Sequence, residues 1–113
     1  MKKIIAIPVD DNGKLDAHFG HCKFFELFII ENNLVVEKLK LQPPPHEPGV
    51  LPKWLSNNGT TDIIAGGMGQ KAISLFHNNN IRVCVGAPQI QAPDLINKYL
   101  NNELTLTNNY CDH

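Results

Sequence analysis

The chain has 113 residues, enough for one domain around one buried core. Ten Lys and Arg against eleven Asp and Glu leave a formal net charge of -1, with no basic excess to neutralise a phosphate backbone, so a nucleic-acid partner is excluded. The longest apolar runs, IIAIPV and LFII, fall far short of the roughly 20 residues that cross a bilayer. The basic start MKK reaches Asp10 too soon for a secretory signal, which places the protein in the cytoplasm and predicts that its three cysteines are reduced thiols.

The first segment, KIIAIPV (3–9), is β-branched and reads as a strand covered on both faces, stopped by Asp10-Asp11-Asn12-Gly13. KFFELFIIEN (23–32) is a second such strand, interrupted only by Glu26. LVVEKLKLQ (34–42) is a third, with Lys38 and Lys40 suited to a sheet edge. The two connections predict an antiparallel meander. PPPHEPG (43–49) removes backbone donors and reads as an extended linker.

Beyond the linker, Val50, Leu51, Trp54 and Leu55 share a helical face, with Pro52 in the first turn and Gly59 as the stop. TDIIAGG (61–67) is a strand. A helix follows with Met68, Ala72, Leu75 and Phe76 at helical spacing, then the strand IRVCVGA (81–87). A last helix carries the stripe Leu95, Ile96, Tyr99 and Leu100. The expected fold is an α/β domain over residues 1–107. Its five-stranded mixed sheet has three antiparallel strands and two parallel ones, the fourth beside the first and the fifth beyond it, and residues 108–113 form a tail.

In such a sheet the crevice lies past the carboxyl ends of the parallel strands. Three segments should meet there: 11–22, GGMG (66–69) and GAPQIQAP (86–93). Gly66, Gly67, Met68 and Gly69 open a helix, so free amides and the positive end of its dipole make an anion cradle; the same glycines also serve simply to permit the turn. DAHFGHC (16–22) aims His18, His21 and Cys22 at the same crevice. Imidazole and thiolate suit zinc, copper or iron-sulfur species, whereas calcium and magnesium want carboxylates. The bland alternative makes His18 a backbone partner and Cys22 a small apolar residue. Cys111 and His113 of the tail NNYCDH, and His46 of the linker, are further metal-ligand candidates. His77 at a helix end reads as structural and Cys84 as core.

Taken together, IIAIPVD, HFG, HEPG, LPKWL, GGMG, AISLF and VCVGA, in this order over nearly the whole chain, resemble the NifB/NifX-type nitrogenase iron-molybdenum cofactor biosynthesis family. The resemblance implies an RNase H-like fold and a non-catalytic protein that binds and carries iron-molybdenum cofactor or a related iron-sulfur precursor between donor and acceptor proteins, as a monomer or weak dimer. It assigns the ligand-bearing histidine to His18, in the segment His18, Phe19, Gly20, and the glycine loop to residues 66–69; apart from the resemblance, Lys71 could add charge that complements an anionic cluster. Two plausible thiolates would ligate a cluster incompletely, as a carrier requires. A simple zinc or copper site built from His18, Cys22, Cys111 and His113 is an alternative. A metal-dependent phosphoryl-transfer enzyme is disfavoured: Asp10, Asp11 and Asp16 lie near the crevice, but Asp62 opens its strand at the far end.

Overall fold

The computed structural model describes residues 2–16, 22–45, 47, 49–104 and the backbone of 110–111. Strand β1 (Lys2–Val9) pairs antiparallel with β2 (Phe24–Glu31), and β2 with β3 (Leu34–Leu41). Helix α1 (Val50–Asn57), β4 (Asp62–Ala65), α2 (Gln70–Asn78), β5 (Arg82–Val85) and α3 (Ala92–Leu100) follow. β4 runs parallel to β1, with Ile5 opposite Asp62, and β5 runs parallel to β4. The five expected strands thus stand in the expected order. A sixth, β6 (Tyr110–Cys111), lies in the segment read as a tail and pairs antiparallel with β5, giving the order β3-β2-β1-β4-β5-β6.

The alternation of β1 feeds two cores, as expected of a strand covered on both sides. Ile5, Ile7 and Val9 join Phe28, Ile30, Leu95 and Ile96 on one face, while Ala6 joins Phe25, Leu27, Leu55 and Phe76 on the other. Against the first face, α3 buries Ala92, Leu95 and Ile96, with Tyr99 and Leu100 packed at its border. On the second, α1 buries Leu51, Pro52 and Leu55, and Trp54 meets Phe25 at 5.8 Å between ring centroids. The buried face of α2 is Ile73 and Phe76: Phe76 is buried as expected, Ala72 and Leu75 are only half-buried, and Met68 lies in the loop before the helix, which begins at Gln70.

The asparagine-rich turns have a conformational cause. Asn32 and Asn33, at φ 52° and 65°, make the two-residue turn between β2 and β3. Each helix ends in a left-handed residue just beyond its cap: Gly59, Asn80 and Asn102. In all three the same pair of bonds closes the end. For α1 these are Gly59 N–H to Ser56 O at 3.0 Å and Thr60 N–H to Leu55 O at 3.0 Å; for α2 they are Asn80 N–H to His77 O and Ile81 N–H to Phe76 O. Asparagine is one of the few side-chain-bearing residues that visit this conformation, and at two of the three ends it takes glycine's place.

β3 is the sheet edge that its lysines predict, but those lysines also fold back over the sheet. Lys38 Nζ lies 3.8 Å from the buried carboxylate of Glu26, and Lys40 Nζ sits 4.5 Å from the Phe24 ring centroid. Among the described residues no helix is long and apolar enough to cross a membrane.

Candidate functional site

Hydrogen bonds, all but one of them between backbone groups, lace the three loops expected to meet beyond β1, β4 and β5 at one end of the sheet. Gly86 N–H donates to Gly66 O at 3.1 Å and Ala87 N–H to Ala65 O at 3.2 Å, joining the loops after β4 and β5. Leu15 N–H donates to Ile90 O at 3.0 Å, Ala92 N–H to Gly13 O at 3.0 Å and Gln91 Nε2 to Asn12 O at 3.1 Å, joining the loop after β1 to the start of α3. Asp10 shapes that loop: its Oδ1 accepts the Asn12 and Lys14 amides at 2.8 and 3.1 Å, the local closure that aspartate favours. Gly13 follows at φ 79°, and a Cβ there would lie 3.2 Å from Gln91 Oε1.

Both flanks of the segment 17–21 are held at this end. Asp16 N–H donates to Pro8 O at 2.9 Å, near the close of β1, and Cys22 stands just before β2, whose Phe24 pairs with Val9. Cys22 is buried in the same apolar cluster as Ile73, Phe76 and Val85, against which Met68 of the glycine loop also packs. The residue before β2 and Met68 of the loop before α2 thus belong to the same core, on the same face of the sheet.

The glycine loop is open. A Cβ on Gly67 or on Gly69 would meet nothing within 4 Å, so neither glycine is demanded by packing. Gly69 caps α2 in extended backbone, no side chain bonds the cap, and no acidic residue stands in the first turn. No carboxylate of the helix's own first turn thus offsets the positive end of its dipole.

Cys22 is a free cysteine. Burial, then the nearby charge of Asp16, push its thiol up to about 12, against a smaller opposing effect of its backbone hydrogen bond. It is therefore a protonated thiol near neutrality, and a metal that takes its sulfur must displace a proton. The expectation of reduced cysteines fails at Cys84: it lies in the core as read, 2% exposed, but is disulfide-bonded, and it pairs in register with Cys111. No sequence periodicity announces a two-residue strand so near the C-terminus, which is why that pairing was not foreseen.

His18, Phe19, Gly20, His21, His46 and His113 lie outside the described residues, as does the side chain of Cys111. Among the described residues no three His, Cys, Asp or Glu side chains come together as a metal group. The carboxylates are separately engaged: Asp11 pairs with Lys23 at 3.0 Å, Asp10 holds its turn, and Asp62, buried at the opposite end of β4, accepts from Thr61 Oγ1 at 2.6 Å. His77 stands in the last turn of α2, as its structural reading requires.

The comparisons with known proteins agree with this frame. The sequence model of the family described as dinitrogenase iron-molybdenum cofactor matches residues 1–102. MJ0580 of Methanocaldococcus jannaschii is 34% identical over 84 residues, covering 70% of each chain. The crystal structure of PH0822 superposes with a TM-score of 0.86 at 26% identity, over 94% of this chain and 96% of the other. MJ0327 of Methanocaldococcus jannaschii, provisionally described as a dinitrogenase, superposes with a TM-score of 0.74 at 18% identity, over 97% of this chain and 99% of its own, and so speaks to the fold. The chain belongs to the dinitrogenase iron-molybdenum cofactor family, the nitrogenase-cofactor accessory group.

Proposed function

We propose that this protein binds an iron-sulfur or iron-molybdenum type cluster as transient cargo and carries it, without catalysing a reaction on it, between a donor and an acceptor protein in the cytoplasm. The carrier unit is residues 1–107, RNase H-like as the family resemblance implies, with 108–113 as an appendage, working as a monomer or weak dimer. The observations that support this reading are that Cys22 and Met68 belong to the same apolar cluster and that the start of α2, which Met68 precedes, has no side-chain cap and no packing demand on its glycines.

In this scheme Cys22 and His18 supply covalent ligands, with His21, His46, Cys111 and His113 as further donors. The Gly66–Gly69 amides complement the negative charge that metal-sulfur clusters commonly carry, with Phe19, Gly20 and Met68 as further cofactor-binding residues. A thiol that must lose its proton, backed by hydrogen bonds rather than by four thiolates, holds a cluster exchangeably. Release is what a carrier needs.

The test is anaerobic reconstitution of the full chain with iron and sulfide, read by absorption and by iron, sulfide, zinc and copper analysis. Sulfur-to-iron charge-transfer bands that weaken in His18→Ala and Cys22→Ala support carriage. Zinc or copper retained without iron or sulfide favours the simple-metal site, and bands identical in wild type and both variants contradict the assigned ligands.

A further inference from the structure

Beyond Cys22 the chain has two more cysteines, Cys84 and Cys111, and the sheet brings them together. Cys84, inside strand β5, is directly opposite Cys111 of β6, the strand beyond it, in antiparallel register. Directly opposed residues of such a pair have Cα atoms about 4.5–5.5 Å apart, within the roughly 4.4–6.8 Å that a disulfide spans. Cys84 is disulfide-bonded, Cys22 is free, and the chain has three cysteines. Register, bonding state and composition leave one intramolecular partner.

We propose that Cys84 and Cys111 form a thiol–disulfide clasp that ties the C-terminal strand to the sheet edge when oxidised and lets it go when reduced. The clasp has little else to hold it: β6 has two residues and two register pairs with β5. A pair this short has no independent stability, so the covalent bond decides whether the strand stays. The chemistry is exchange. The two thiols lose two protons and two electrons to a low-molecular-weight disulfide such as oxidised glutathione, which departs as two thiols while the Sγ–Sγ bond forms; a small dithiol runs the step backwards. Oxidation also withdraws Cys111 from any role as a metal ligand, since a disulfide sulfur is not a thiolate. The clasp stands whether or not the protein carries a cluster.

The experiment equilibrates the full chain in oxidised or reduced glutathione, traps thiols with iodoacetamide, maps the peptides without reduction and follows amide exchange. The oxidised protein is expected to yield a linked peptide pair containing Cys84 and Cys111, lighter by two hydrogens than the separate peptides, with Cys22 in an unlinked one. Exchange at Tyr110 and Cys111 should be faster in the reduced protein, with β1, β2 and β4 unchanged. Cys111→Ser should show the fast exchange in both buffers; the wild type reduced by dithiothreitol gives the same readout without a substitution. Alkylated Cys84 in the oxidised buffer, a Cys22–Cys84 link, or equal exchange of β6 in both states would overturn the proposal.

Discussion

Cys22 shows how a residue type announces chemistry that its surroundings then restrain. Sequence reading marks it as a soft donor beside two histidines; burial and Asp16 keep it protonated near neutrality. That shift has a consequence for stability. The unfolded thiol ionises near its ordinary value of 9.0 and the folded one near 12, so the folded state holds the proton through that window and loses stability as pH rises through it. The stabilisation is fully present below pH 9. Tyr99 works in the same direction: burial foremost, then the charge of Asp62 and a hydrogen bond to it, raise its phenol against the opposing charge of Arg82. We expect denaturant unfolding to show a decline in stability above pH 9, to which Cys22 contributes. Cys22→Ser should flatten that decline without abolishing it, because Tyr99 remains. An alkaline limb identical in wild type and Cys22→Ser would show that the thiol titrates alike folded and unfolded.

At the scale of elements, glycines that look alike in sequence divide by what surrounds them. Gly59 ends α1 at φ 84°, with Ile4 Cδ1 3.1 Å from where a Cβ would stand, whereas Gly67 faces open space. Gly59→Ala should therefore cost about 1–2 kcal/mol from the left-handed backbone alone. Gly67→Leu should change stability by no more than about 0.5 kcal/mol, as for a surface position, yet obstruct approach to the amides before α2. Thermal unfolding and iron uptake of the two variants check this: Gly59→Ala is expected to be less stable but to take up iron while folded, and Gly67→Leu to be stable but impaired in uptake. The opposite assignment would make GGMG a turn with no ligand role. The elements themselves were legible because β-branched runs and helical stripes repeat, and because proline and glycine mark their ends. The α2 boundary shifted because a loop residue, Met68, packs on the same core as the helix and so mimics its periodicity.

For the whole molecule, the order β3-β2-β1-β4-β5 followed from short antiparallel connections and right-handed crossovers, and it brings the loops after β1, β4 and β5 to one end. The frame of the candidate site could thus be read from the chain. Its chemistry was less legible: the protonation of Cys22 depends on burial, and the bonding of Cys84 on a register set by two residues near the C-terminus. The central claim is that DAHFGHC and GGMG act on one ligand. Titrating the isotope-labelled apo protein anaerobically with a synthetic iron-sulfur cluster, while following backbone amides by NMR, tests it most directly. The account predicts that the amides of 16–22 and 66–70 shift or broaden together with the same saturation, while those of β3 stay fixed. Perturbation of one segment with the other unmoved would contradict it.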